Sequence, residues 1–126
     1  MKLLLIALGG AIGSTGRYLA SAFVNRFTHA HAIPWGTFTV NASGSFIIGL
    51  LWAIGEADLI SNPLRYFLFI GVLGGYTTFS SFSIETMNLF RSGETGMALG
   101  YVLLSNVACI ALAFAGFACA KFFLVK

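Results

Sequence analysis

The sequence predicts an all-α integral membrane protein with four transmembrane helices and a break in the third. Hydrophobic residues make up 58% of the chain and charged residues only 9%, whereas soluble domains carry about a quarter charged residues. A helix needs about 20 mostly apolar residues to cross a bilayer, and four such segments with short loops account for all 126 residues. We therefore expect a single membrane domain over residues 1–126, with the lipid bilayer around it.

The apolar segments place the helices at about residues 2–24, 35–55, 64–91 and 96–122. The first resembles a signal peptide, but its apolar pattern continues past Arg17 and three more spans follow, so we favour a retained helix. Small residues four apart let helices approach closely in a bilayer. Such pairs occur in three segments: Gly9 and Gly13, Ser45 and Gly49, and Gly96 and Gly100.

The third segment contains the least typical stretch, residues 74–83, with the sequence GGYTTFSSFS. Adjacent glycines weaken a helix, and carbonyl groups freed by a break near residues 74–78 would need another partner. Lipid offers no hydrogen bonds, so the serine and threonine side chains here must face protein, ions or water. The stretch therefore predicts a functional site inside the membrane.

The composition argues against several functions. The basic residues are scattered at segment ends rather than gathered in a patch, so we expect no nucleic-acid partner. The sequence has no phosphate-binding loop, no metal-ligand spacing and no nucleophile with an obvious base, so we do not expect an enzyme. His29 and His31 are interpreted as solvated loop residues. Cys109 and Cys119 lie too far apart on one helix for a disulfide.

Isolated polar residues in the other helices point to transport. Arg17 either snorkels to an interface or lies at an aqueous vestibule, where its charge attracts anions. Asn41 either joins helices or donates hydrogen bonds to an anion. Tyr101, Ser105 and Cys109 follow one face of the fourth helix. Neutral donors favour an anion because they replace its hydration without a counter-charge.

Two features of the third helix leave alternatives open. Phe79 and Phe82 share a helix face, so their rings either pack or turn positive ring edges toward an anion. Glu85 is the carboxylate placed within a span, and a small four-helix proton-coupled exporter would need it to titrate there. A non-transporting membrane assembly subunit is a further alternative to a protein that transports an anion.

The chain resembles the Fluc (CrcB) family of fluoride channels over nearly its whole length. The most specific motifs are GGYTTFSSFSIET at residues 74–86 and GTFTVN at 36–41, with GRY at 16–18 in support. The resemblance implies a passive, highly selective channel that exports fluoride across the bacterial cytoplasmic (inner) membrane and relieves fluoride toxicity. It also implies an antiparallel, dual-topology homodimer with two pores.

By this resemblance, side chains of three helices would line the pore: Phe79, Phe82, Asn41, Ser105, Tyr101, Thr78 and Ser81. Arg17 would lie at the vestibule. One structural sodium ion, which is not transported, would lie at the dimer centre, bound by main-chain oxygens of Gly74 and Thr77 from each subunit. Tyr76 stands where the family has an aliphatic residue, and Cys109 where a serine often extends the polar track.

The basic residues near the span ends give only a weak orientation signal. One side collects Lys2, Arg65, Lys121 and Lys126, and the other Arg26 and Arg91. The counts lean slightly toward an N-terminus inside the cell. A chain with so little bias is expected to insert in both orientations.

Overall fold

The computed structural model describes residues 1–28 and 33–124, and every regular element in them is helical. His29, His31 and Lys126 lie outside these residues. The four long segments are α1 (Lys2–Phe27), α2 (Trp35–Glu56), the third span (Asn62–Arg91) and α6 (Thr95–Leu124). The third span consists of α3 (Asn62–Arg65), a π-helical segment (Tyr66–Leu73), α4 (Gly74–Tyr76) and α5 (Phe79–Arg91).

In the described residues, these four segments are long and apolar enough to cross a membrane. Their outer surfaces expose large apolar side chains, among them Leu103 at 67% and Phe114 at 72%. Soluble proteins rarely expose such apolar area, but lipid surrounds it without cost. The fold is that of a multi-pass membrane protein.

Small residues let α2 and α6 approach closely. A Cβ added to Gly49 would overlap the carbonyl oxygen of Ala113, and one added to Gly116 would overlap that of Phe46. Small residues allow such close backbone approach between membrane helices. The two helices form the closest-packed wall beside the third span.

Helix α1 packs in a similar way against the π-helical segment. A Cβ built on Gly9 would lie 2.9 Å from the Cα of Gly71, and Gly13 lies against the carbonyl oxygen of Val72. The small-residue pair that begins α6 is different, since added Cβ atoms there would meet none of the described residues within 4 Å. The first two predicted pairs mark helix contacts within the chain, and the third does not.

The backbone leaves the helical conformation at two residues between α4 and α5. Thr77 (φ −77°, ψ 155°) and Thr78 (φ −150°, ψ 118°) are extended, whereas Gly74 to Tyr76 remain helical. Thr78 then caps α5, because its Oγ1 accepts the Ser81 N–H at 3.1 Å. These two extended residues lie near the middle of the third span, where lipid cannot satisfy backbone groups.

Candidate functional site

A cavity of about 390 Å³ lies beside the two extended residues, between α2, the third span and α6. Most of the residues predicted for the site line it: Asn41, Gly74, Thr77, Thr78, Phe79, Phe82 and Ser105. Cys109 lines it as well. The polar residues of three distant segments therefore meet at one place.

Asn41 holds the extended backbone through both ends of its amide. Its Nδ2 donates to the Thr78 carbonyl at 3.0 Å, and its Oδ1 accepts the Thr78 N–H at 2.8 Å. The Asn41 amide thus makes the two hydrogen bonds with the Thr78 main chain that a peptide group of a neighbouring strand would make. An amide nitrogen carries two N–H groups, so one donor of Asn41 remains for a ligand in the cavity.

The break at Thr77 and Thr78 leaves main-chain oxygens without their helical donors, among them those of Gly74 and Thr77. In a continuous helix the Thr78 N–H would donate to the Gly74 carbonyl, but it donates to Asn41. The Ser81 N–H would donate to the Thr77 carbonyl, but it donates to Thr78 Oγ1. Such carbonyl groups within a membrane need another partner.

The oxygens of Gly74 and Thr77 are the ones that the family resemblance implies as sodium ligands. Carbonyls of unwound backbone at the end of a half-helix are typical ligands of that ion in membrane proteins, so the donor set fits it. The described residues contain no group of three or more His, Cys, Asp or Glu side chains placed to hold a metal. The candidate cation site consists of the main-chain oxygens of Gly74 and Thr77.

The two phenylalanines differ sharply in exposure. Their ring centroids are 5.3 Å apart with a 49° tilt, but Phe82 is only 7% exposed and Phe79 is 75% exposed. The Phe82 ring also packs against Tyr101, with centroids 5.2 Å apart. Phe82 is thus fixed inside the fold, whereas Phe79 stands at an open side of the cavity.

Ser105 is buried beside the cavity with an unused hydroxyl group. The residue is 6% exposed, and its Oγ is the one buried side-chain polar atom of the described residues that has no hydrogen-bond partner. A buried hydroxyl without a partner costs about 1–3 kcal/mol. The arrangement therefore favours a ligand that accepts a hydrogen bond at this point.

Glu85 accepts hydrogen bonds from two hydroxyl groups on other helices. Thr37 Oγ1 donates to its Oε1 at 2.6 Å, and the Tyr101 hydroxyl donates to its Oε2 at 2.9 Å. Tyr101 is fully buried and does not line the cavity. The family resemblance implies a pore position for Tyr101, and no local pattern in the sequence links Glu85 to Tyr101 or Thr37, which lie 16 and 48 residues away.

The remaining two candidates lie off the cavity lining. Ser81 accepts a hydrogen bond from Thr78 Oγ1 at 3.1 Å and belongs to the cap of α5. Arg17 is half-buried on α1, and it makes no hydrogen bond or ion pair with any other described residue. Its charge is therefore not neutralised by a carboxylate within that part of the chain.

Comparison with known proteins agrees with the motif resemblance. The family model described as CrcB-like protein, Camphor Resistance (CrcB), matches residues 4–117. A protein of Desulfotalea psychrophila named fluoride-specific ion channel FluC is 44% identical over 126 residues, covering 100% of this chain and 97% of the relative. Proteins of the same name from Agrobacterium fabrum and Thermus thermophilus are each 47% identical, covering 94% and 92% of both chains, respectively.

The family model spans most of the chain, including both motifs on which the resemblance was based. The relatives named above carry the names of ion channels rather than of enzymes. On these matches, the chain belongs to the CrcB family.

Proposed function

We propose that this protein is a passive, highly selective fluoride channel that exports fluoride across the bacterial cytoplasmic membrane and so relieves its toxicity. Relatives that are 44% and 47% identical over nearly the whole chain are named as fluoride-specific channels. The structural observation that carries the proposal is the unpartnered Ser105 Oγ in the same cavity as Phe82 and Asn41.

The cavity offers neutral groups that can replace the water around an anion. The Ser105 hydroxyl and the second N–H of Asn41 are hydrogen-bond donors, and the edges of the Phe79 and Phe82 rings carry positive potential. Neutral groups bind without the counter-charge that would trap the ion. Fluoride is small and tightly hydrated, so closely spaced donors favour it over chloride, and a membrane potential negative inside drives it outward.

The proposal includes an antiparallel homodimer with two pores. Phe79 is 75% exposed at the side of the cavity, and a second copy inserted the opposite way would cover it. In a twofold dimer the same contact occurs twice, so two equivalent pores result.

The charge distribution fits insertion in both orientations. Three basic residues lie at one end of the molecule: Lys2 over the Tyr66 ring, Arg65 beside Ile60, and Lys121 paired with Glu56 at 3.0 Å. Arg26 and Arg91, in the last turns of α1 and α5, lie at the other end. This small difference in the number of basic residues between the two ends gives only a weak preference for one orientation under the positive-inside rule.

We further propose a structural sodium ion at the dimer centre. It would be bound by the Gly74 and Thr77 carbonyls of both subunits and would not be transported. The support is that both carbonyls lack helical donors in one subunit. Bound there, sodium would supply a positive charge that holds four main-chain oxygens together. The residues of this chain keep those oxygens available, because Asn41 and Thr78 take the two N–H groups.

Anion efflux from liposomes containing the purified protein tests the channel. With sodium present and a potassium ionophore to balance charge, we expect rapid fluoride efflux and little chloride efflux. A folded dimer that releases no fluoride would overturn the proposal, and an assembly subunit would release neither anion. Efflux that requires a proton gradient and disappears in Glu85→Gln would instead indicate a proton-coupled exporter.

Sodium replacement tests the cation site separately. When a large organic cation replaces all sodium, we expect fluoride efflux to be lost and to return when sodium is added back. Efflux that is indifferent to the exchange would remove sodium from the proposal and leave the channel itself intact.

A further inference from the structure

Tyr76, the last residue of α4, makes a further hydrogen bond between α2 and the third span, in addition to the Asn41–Thr78 pairing and the Thr37–Glu85 bond. Its hydroxyl oxygen lies 3.0 Å from Ser43 Oγ. The single proton of Ser43 is used in a hydrogen bond to the Val40 carbonyl at 3.1 Å. A serine hydroxyl has one proton to donate, so Tyr76 is the donor and Ser43 the acceptor.

The ring of Tyr76 fills a space between α1 and α2 that two glycines leave open. A Cβ built on Gly16 would lie 3.7 Å from its Cδ2, and one built on Gly44 would lie 3.3 Å from its Cδ1. Gly44 also contacts the methyl group of Thr77. The ring thus fixes where the side chain lies, and the hydroxyl bond fixes how far it reaches toward α2.

This bond acts on the backbone between the two candidate sodium ligands. Gly74 and Thr77 are three residues apart, and Tyr76 immediately precedes Thr77. Asn41 fixes the chain on the far side, at Thr78. A carbonyl without a helical donor keeps its direction only through the residues that hold the chain on both sides of it.

We propose that Tyr76 is a positioning residue of the cation site, whose hydroxyl bond to Ser43 sets the spacing of the Gly74 and Thr77 carbonyls and thereby the affinity for sodium. The inference rests on the sodium ion of the proposed function. It does not require contact with either ion, and Tyr76 does not line the cavity. An aliphatic residue at this position would fill space but could not make the bond.

Sodium-dependent thermal unfolding of the purified dimer measures this effect without any transport. The unfolding temperature is recorded over a sodium series in which an organic cation keeps the ionic strength constant. We expect Tyr76→Phe, which keeps the ring, to raise the half-saturating sodium concentration on the order of 3- to 10-fold, as the loss of one hydrogen bond predicts. Fluoride efflux at saturating sodium should remain near that of the unmodified protein.

Matched variants separate positioning from general damage. Ser43→Ala should raise the half-saturating sodium concentration as much as Tyr76→Phe, and the double variant should raise it no further, because both changes remove the same bond. Ser43→Ala leaves the Tyr76 hydroxyl without an acceptor. In the absence of sodium, it should therefore lower the unfolding temperature more than Tyr76→Phe does. Tyr66→Phe is the control, since the Tyr66 hydroxyl makes no hydrogen bond to another described residue.

The outcomes distinguish this inference from the proposed function. If the unmodified protein unfolds at the same temperature at every sodium concentration, the sodium site is wrong and the inference falls with it. If the unmodified protein responds to sodium and Tyr76→Phe responds at the same concentrations, the positioning role alone is wrong. A shift in Tyr76→Phe that is absent in Ser43→Ala would also overturn it.

Discussion

The two faces of α2 contact their neighbours in different ways. Toward α6, Gly49 lies against the backbone of Ala113, and Gly116 of α6 lies against the backbone of Phe46. Toward the third span, α2 uses side-chain hydrogen bonds from three residues: Thr37, Asn41 and Ser43. The first face brings backbones together, and the second directs particular groups.

This difference shows how one helix serves both the fold and the site. Helices in lipid gain little from apolar burial, so close packing and hydrogen bonds hold them together. Close packing sets the distance between two helices, whereas a hydrogen bond also sets the direction of the groups it joins. We therefore expect changes on the α6 face to damage the whole fold and changes on the other face to damage the site first.

The largest effect is expected from Gly116→Val. The added atoms would overlap the Phe46 carbonyl, and two helices must separate to admit them, which overpacking data put at about 3 kcal/mol. Thermal unfolding and the yield of folded dimer measure it. Gly100→Val on the same helix is the control, because a Cβ there meets none of the described residues within 4 Å; equal loss in both variants would contradict the role of the α6 face.

A smaller loss of stability, with a large loss of flux, is expected from Asn41→Ala. The change leaves the Thr78 N–H and carbonyl unpaired, at a cost of about 2 kcal/mol. If half or more of that energy holds the conducting geometry, fluoride flux falls about fivefold or more. Liposome efflux and unfolding temperature together measure it. Asn88→Ala, at an exposed amide of α5, should leave both unchanged, and normal flux in Asn41→Ala would show that the extended backbone does not need this bond.

The smallest effect is expected from Thr37→Val. It removes one of the two hydroxyl donors to Glu85, while Tyr101 keeps the other, so the cost is about 1–2 kcal/mol. The free energy of unfolding measures it. Thr39→Val, at an exposed position of the same helix, serves as control. A double-mutant cycle with Glu85→Gln should give a coupling energy, and strict additivity would contradict the bond.

The sequence predicts the spans well because each depends on a local property, a run of apolar residues. It is less informative about their ends, since α1 continues to Phe27, three residues beyond the predicted 24. Asn41 and Ser105 could be singled out because polar residues stand out in apolar segments, and both line the cavity. The motifs at residues 36–41 and 74–86 were enough to predict the family, which the comparisons confirm.

The partners of these residues could not be predicted in the same way. Tyr76 and Ser43 are 33 residues apart, and Thr37 and Glu85 are 48 apart. Whether two such side chains meet depends on how the helices rotate and tilt, which packing against neighbours decides and periodicity does not. The sequence therefore left open whether Asn41 joins helices or donates to an anion. Its hydrogen bonds to Thr78 show that it joins α2 to the third span, and its remaining N–H stays available for the anion of the proposed function.

The Asn41–Thr78 pairing also has a consequence for acidic surroundings. It joins a carboxamide to a peptide group, and neither gains nor loses a proton over the range of pH in which a protein stays folded. A carboxyl group at position 41 would change its charge with pH and, when ionised, would have no hydrogen to donate to the Thr78 carbonyl. Hydrogen fluoride is a weak acid, so a larger fraction of it is uncharged in an acidic medium, and the Asn41–Thr78 pairing keeps its geometry in the same medium.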